Sequence, residues 1–433
     1  MRSLQPAQES GAPAFARLRL MVLIVSLSLC GVCDRAQAGD WPQILGPGRN
    51  GIAVDEPAVD RWPAGGPKPR WEFPVGDGFA GPAVAGGKVI VFHRVDDPKS
   101  GAQERAQCLD AQSGKSLWQT DFPTSYRGSI SNDHGPRCVP LIDRETVYLF
   151  GAGGGLHAVS LAEGKKLWSR ETAKEFAAPS GYFGAGSTPL LVGDHLIVNV
   201  GGRIGQGVVA FHRSTGKTVW ASSDEQASYS APIVAQVGNQ PQVIMITRLN
   251  CVGLDPLKGR IAWSLPFGNR GPTVNAATPL VSGEHLFLSA SYGIGARWID
   301  LSQQPPKVEW ENDTTMSSQY STSVLLDGAM YGVHGRDDVG DAELRCFDPR
   351  TGKVHWSQAG FGVATLILTQ KTLLALKTDG TLELVQAVPD KYQPLGSASV
   401  FSSTTRALPA LSNGVLFARD TERLKAIDLL PSR

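Results

Sequence analysis

Net charge is nearly absent from this sequence. Lys and Arg number 41 against 40 Asp and Glu, a formal +1, and the basic residues are scattered along the chain. A nucleic-acid surface needs a basic stripe or patch, so no nucleic-acid partner is expected. Cysteine is scarce. Of six, Cys30 and Cys33 fall in the first 38 residues, and Cys108, Cys138, Cys251 and Cys346 remain, none adjacent and none in a C-x-x-C pair. No C-x-x-C-H occurs, which excludes a c-type haem attachment. G-x-S-x-G, H-E-x-x-H and the P-loop are missing too, which removes the common hydrolase, zinc-protease and nucleotide-binding signatures. Long apolar runs are confined to "MVLIVSLSLCGVC", residues 21–33, preceded by "RLRL" and followed by "AQA". That run has the length of a signal-peptide core and is short for a membrane span. Residues 1–38 are therefore expected to be a signal peptide cleaved after Ala38, with the protein periplasmic or secreted and without a transmembrane segment.

What the chain does have is tryptophan in a fixed setting. "CLDAQSGKSLW" ends at Trp118, "VSLAEGKKLW" at Trp168, "FHRSTGKTVW" at Trp220, "GLDPLKGRIAW" at Trp263 and "CFDPRTGKVHW" at Trp356, and "WIDLSQQPPKVEW" is a weaker copy ending at Trp310. Each joins two short β-prone runs through a turn. Gly352 can take the positive φ of a bulged hairpin at no steric cost, and Asp348 can accept hydrogen bonds from the turn backbone. Starting at Trp71, the tryptophans recur at intervals of 43 to 52 residues. Upstream of each phrase lie two further strands around a turn, as in "TPLLVGDHLIVNVGG" and "TPLVSGEHLFLSASYG". Four short strands at this period are the pattern of a propeller blade.

After Trp356 come a worn seventh unit, "VATLILTQKTLLALKTDGTLELVQ", and a last unit, "ALPALSNGVLFARDTERLKAIDL", with three strands. Trp71 lies on a strand with no hairpin of its own. The two incomplete pieces fit each other, because a strand near residues 69–75 would complete the last unit and remove an open edge. The fold class predicted is all-β: an eight-bladed β-propeller of four-stranded antiparallel blades, one domain over 39–433, monomeric. The tryptophans are assigned to packing between blades, with the ring N–H on a backbone carbonyl. "GAGGG", residues 151–155, and the equivalent "GGRIGQG", residues 201–207, are assigned to turns between strands, and His157 and His212 to packing or sheet edges. Cys108 and Cys346 hold equivalent places in their repeats and suit small buried hydrophobes. A Cys108–Cys138 disulfide stays open for an exported chain.

The loops from one blade to the next gather at a channel mouth, and function collects on such loops. The longest are "DFPTSYRGSISNDHGPR", residues 121–137, and "RETAKEFAAPSGYFGAGS", residues 170–187. The candidate ligand-binding residues on these and the neighbouring loops are Asn132, Asp133, His134, Arg137, Tyr182, Tyr229, Arg270, Asn275 and Tyr320. Arg, His, Asp and Tyr together suit a small polar ligand or a peptide. No catalytic residue and no metal ligand is assigned.

The D-x-x-(T/S)-G-K-x-x-W phrase resembles the repeat of pyrroloquinoline-quinone (PQQ)-type propellers, a group that covers quinoprotein alcohol dehydrogenases and the propeller subunit of the bacterial outer-membrane assembly machine. The resemblance runs from about Trp41 to Leu429. "DWPQILGPGRNG", "NDHGPR", "VNAATP" and "LSASYG" look similar to exported PQQ-like repeat proteins of planctomycete-type bacteria. It implies two functions. One is a non-catalytic binding or scaffold protein with a protein or peptide partner and no cofactor. The other is a PQQ-dependent dehydrogenase acting on an alcohol or sugar with PQQ and Ca²⁺. The enzymes of this resemblance carry a vicinal Cys-Cys, a Ca²⁺ held by Glu and Asn, and an Asp base. No Cys-Cys occurs here, which favours the binding protein, since fold alone does not decide.

Overall fold

The computed structural model describes residues 39–430, apart from 54, 55, 58, 131, 132 and 272. The predicted signal peptide and the candidate Asn132 lie outside the described residues. The strands fall into eight sheets, and a single helical turn, Thr172–Glu175, interrupts them. Blades 1 to 6 span 83–123, 141–171, 190–222, 233–266, 280–312 and 324–358, each of four antiparallel strands in chain order with its tryptophan on the fourth. Blade 7, 364–399, keeps the pattern without the tryptophan. Blade 8 takes three strands from 410–428 and its outer strand from Lys68–Pro74, which runs antiparallel to Arg423–Asp428 with Trp71 opposite Ala426. Eight blades closed by an N-terminal strand are what the repeat spacing implied. Among the described residues no helix is long and apolar enough to cross a membrane.

The repeated phrase folds as its residues dictate. Gly352 sits at φ 70°, and its N–H donates to the Asp348 carbonyl at 2.9 Å. A bulge follows, so Cys346 faces Trp356 while Phe347 faces Val354. The ring N–H then crosses to the next blade. Trp118 donates to the Leu161 carbonyl (3.0 Å), Trp168 to Arg213 (2.9 Å), Trp220 to Pro256 (3.1 Å), Trp310 to Pro349 (2.9 Å) and Trp356 to Val388 (3.0 Å). Trp71 donates to Ala111 (3.0 Å) and so joins blade 8 to blade 1. The turn glycine of the receiving blade lies against the ring: a Cβ on Gly164 would sit 2.4 Å from Trp118, and one on Gly259 2.4 Å from Trp220. Trp263 departs from this. Its N–H stays in its own blade on Gln242 Oε1 at 2.8 Å.

The core is a series of layers between blades. Ile90, Phe92 and Cys108 of blade 1 pack on Val147, Leu149 and Val159 of blade 2, and the layers continue round the ring to Leu416 and Phe417 of blade 8. The four cysteines in the described residues are free and buried, as their places in the repeats suggested. Burial pushes the Cys108 thiol up to about 12 and that of Cys346 up to about 11. His157 is buried, stacked on Phe122 at 3.8 Å and hydrogen-bonded to Ser169.

First strands of neighbouring blades touch one another, blade 1 with blades 2 and 8, and blade 6 with blade 7. They ring the axis, and the axis is filled. Residues 39–53 and Glu56 thread it. Trp41 exchanges both backbone hydrogen bonds with Val84 of blade 1 (2.7 and 2.8 Å), and the Pro42 carbonyl accepts from Ile142 of blade 2. Ile52–Ala53 adds a short parallel strand to Leu368 and Thr369 of blade 7. A Cβ on Gly51 would lie 2.9 Å from Val324 of blade 6. The Glu56 carboxylate accepts from the backbone of Asn413 and Gly414 of blade 8, 2.8 Å each. Arg49 is the tip of this segment. Its guanidinium donates to the carbonyls of Pro189 (2.9 Å) and Thr188 (3.1 Å), just ahead of blade 3, and to Gln43 (2.9 Å). Complete burial lowers its pKa to about 9, and carbonyl oxygens supply the partial negative charge that a buried cation requires.

Candidate functional site

Four-stranded antiparallel blades place the blade-to-blade loops and the turns between second and third strands on one face. On that face, over blades 2 to 4, lies a cavity of about 840 Å³. Its walls are the loops at 125–129, 178–185, 224–229 and 270–271, and the turns at 152–154 and 248–249. The volume is within the range of ligand pockets, roughly 300–1,000 Å³.

Three of the candidate residues line it: Tyr182, Tyr229 and Arg270. The Tyr229 hydroxyl accepts from the Phe183 N–H at 2.9 Å, and its ring meets Phe183 edge-on at 5.8 Å. Burial raises its phenol pKa, so the hydroxyl stays protonated. Gly186 has to be glycine there, because a Cβ would lie 2.3 Å from the Tyr229 ring. Tyr182 carries the Arg248 guanidinium 6.0 Å from its ring centre. Arg270 is exposed and has no hydrogen bond or ion pair with the described residues.

The other candidates are placed elsewhere. Asn275 is buried beside the wall, where its amide donates to the Phe267 carbonyl (3.2 Å) and the Arg248 carbonyl (3.3 Å). Asp133 accepts from the Gly78 N–H at 2.7 Å, and His134 Nδ1 accepts from the Gly128 N–H at 3.0 Å. Arg137 donates to the Gly135 carbonyl and lies between the rings of Phe79 and Phe183, 5.7 and 5.8 Å away. These three side chains brace their own loop and tie it to the loops carrying Gly78, Phe79 and Phe183, and they do not line the cavity. Tyr320 belongs to a separate cluster over blades 6 to 8, where Asp337 faces Tyr320 (3.5 Å), Arg406 (2.8 Å) and Thr378 (3.2 Å).

Sequence reasoning missed four residues of the wall: Tyr126, Asp224, Glu225 and Arg248. Tyr126 lies inside the long loop at 121–137, and Arg248 lies in a turn within blade 4, not in a loop between blades. Counting strand directions would have put both kinds of connection on one face. Beneath the wall, Glu104 is buried and its carboxylate accepts from the Ala152 N–H at 2.7 Å. Burial lifts its pKa to about 7. Its cross-strand partner Arg94 donates to the Tyr126 carbonyl at 2.7 Å and pairs with Asp96 at 3.0 Å.

The family model described as outer membrane protein assembly factor BamB matches residues 55–178 and 102–358. The chain belongs to that family. Among solved structures, BamB from Moraxella catarrhalis superposes on this BamB-family chain with a TM-score of 0.61 at 15% identity, over 84% of this chain and 97% of that one. The quinohemoprotein alcohol dehydrogenase from Comamonas testosteroni superposes with 0.68 at 13% identity, over 92% and 82%. A europium-containing methanol dehydrogenase does so with 0.66 at 13%, over 89% of each. Likeness at such identity shows the fold alone. No curated protein matches the sequence.

Proposed function

We propose that this BamB-family chain is an exported, non-catalytic binding protein that docks a partner protein or peptide on its loop face, at the cavity over blades 2 to 4. The observation that carries the reading is the make-up of that face. Ile130 is 57% exposed in the loop that gives Ser125, Tyr126 and Ser129 to the cavity wall, Ile204 is 85% exposed in the turn that follows the lining residue Val200, and Arg270 lines the cavity with no hydrogen-bond or ion-pair partner among the described residues. Exposed apolar side chains next to unpaired cations are the composition of an interface. The family match and the likeness to BamB support the same reading, as does the signal-peptide pattern of residues 1–38 for a periplasmic or secreted protein.

The residues present do not fit PQQ with Ca²⁺. Asp224 and Glu225 are the carboxylates of the cavity, and each already holds a backbone N–H, from Gly205 at 2.7 Å and Leu249 at 3.1 Å. No group of three His, Cys, Asp or Glu among the described residues could hold a metal ion, whereas Ca²⁺ takes six to eight oxygen ligands. The free cysteines are not adjacent. A photo-crosslinking residue at Ile204 is expected to capture a defined partner in cells, and one at Lys371, on a turn of blade 7, is not. Alcohol-dependent dye reduction that requires added PQQ and Ca²⁺ would overturn the reading.

A further inference from the structure

We infer that the cavity over blades 2 to 4 selects a peptide segment bearing a carboxylate, with Arg248 and Arg270 as the residues that read the charge. This rests on the docking function proposed above and names the chemistry of the occupant.

Four charged side chains line the cavity, and they are not equivalent. The acids are spent on the fold. Glu225 accepts from the Leu249 N–H and from the Thr247 hydroxyl (3.3 Å), and Asp224 from the Gly205 N–H. The cations hold no counter-charge among the described residues. Arg248 donates to the Thr273 hydroxyl (3.0 Å) and the Gly271 carbonyl, both neutral, and those bonds fix its guanidinium near the Tyr182 ring. Arg270 follows 22 positions on in the neighbouring loop and is free. A fixed and an unbonded guanidinium on one wall suit a planar carboxylate, which accepts charge-assisted hydrogen bonds from each.

The opposite wall adds a donor. Tyr126 is 8% exposed, and its buried hydroxyl has no hydrogen-bond partner. Burial raises its pKa, so the proton stays in place. An unpartnered buried hydroxyl costs stability unless something meets it. Phe150, Val200 and Leu249 add apolar surface to a lining that also holds Ser125, Thr172 and Ser228, and Ile130 and Ile204 are exposed on the loop before blade 2 and the turn after Val200. A free small carboxylate would leave that apolar surface uncovered. A peptide with an acidic residue between apolar ones covers it.

The test is a random-peptide phage library panned on the folded mature chain, with hits remade as free peptides and measured by fluorescence anisotropy. Hits are expected to contain Asp or Glu flanked by apolar residues. Their affinity should fall about tenfold or more on Asp→Asn or Glu→Gln exchange in the peptide, and by a similar factor in Arg270→Gln, an exposed site where the fold is not at risk. It should also fall as salt rises. Ser180→Trp, at an exposed position of the wall, should block binding. Neutral peptides that bind the parent but not Ser180→Trp, and that ignore Arg270→Gln and Arg248→Gln, would overturn the carboxylate assignment and leave the docking function standing. Hits that bind Ser180→Trp unchanged, or a library that enriches nothing, would overturn both.

Discussion

At the scale of the residue, the tryptophans explain why one phrase recurs so often. The rings of Trp71, Trp118, Trp168, Trp220 and Trp310 each cover a glycine of the next blade and donate one hydrogen bond there, so the same side chain closes the junction by area and by direction. Trp220 is buried and bonded to the Pro256 carbonyl. Trp220→Ala should cost about 3–5 kcal/mol, read as a drop in urea midpoint with an unchanged slope. A loss within about 0.5 kcal/mol would show that the ring packs no better than a surface side chain. This role was legible in the sequence because repetition in every blade points to structure. Arg49 was illegible for the opposite reason. It occurs once, between glycines, and nothing in "GPGRNG" tells a buried cation from an exposed one.

At the scale of the element, the loop face shows where reading a sequence reaches its limit. Loop length located the region, and Tyr182, Tyr229 and Arg270 fell on the cavity. Side-chain type did not separate binding residues from scaffolding ones: Arg137 and Arg270 look alike on paper, and one is clasped by its own loop while the other is free. The turn at 151–154 rests on Glu104, which a strand reading takes for one more polar residue in alternation. Gly151 is closed to any Cβ, which would lie 1.9 Å from the Glu104 carboxylate. Burial, opposed by the Ala152 N–H and Arg94, lifts Glu104 to about 7 from the ordinary 4.5, and Glu171 adds to the rise. Above pH 7 both folded and unfolded chains carry the charge, and the folded one bears its burial. Between pH 7 and 4.5 the folded state takes up a proton that the unfolded state does not. The contribution of Glu104 to stability therefore rises as pH falls through that window, by on the order of 3 kcal/mol. His93 and His157, pushed down to about 3 by burial, act in the other direction, losing stability as pH falls from 6.5 to 3. Comparing variant with parent removes their effect. Glu104→Gln keeps an acceptor for Ala152 and should be more stable than the parent at pH 8, with the gap closing by pH 4.5. A gap that stays constant with pH would contradict the buried charge.

At the scale of the whole molecule, closure is made twice by the same end of the chain. Lys68–Pro74 completes blade 8 at the rim, and residues 39–53 with Glu56 occupy the axis. The rim closure followed from two incomplete repeats in the sequence. The axial one had no repeat to betray it, since its partners are the ends of first strands in blades that lie far apart along the chain. Removing residues 39–76 takes both away and bares the edge of Arg423–Asp428. The truncated protein should aggregate, seen as loss of the monomer peak in light scattering. A monomer with an unchanged melting temperature would show that neither closure matters.

The double closure also sets an order in time. A growing chain delivers residues 41–74 first, and their partners in blades 7 and 8 last. The Ser412 hydroxyl meets the Gly39 carbonyl, and the Asn413 N–H meets Glu56, only after more than 350 intervening residues exist. Contacts of such separation are the slow ones in folding, so the segment can pair early with blades 1 to 3 through Trp41, Pro42 and Arg49, while its ties to blades 7 and 8 wait for the end of synthesis. A premature stop before residue 364 would leave six complete blades and still deprive this segment of its blade 7 and blade 8 partners, at Leu368 and Asn413 for the axis and at Arg423–Asp428 for the rim.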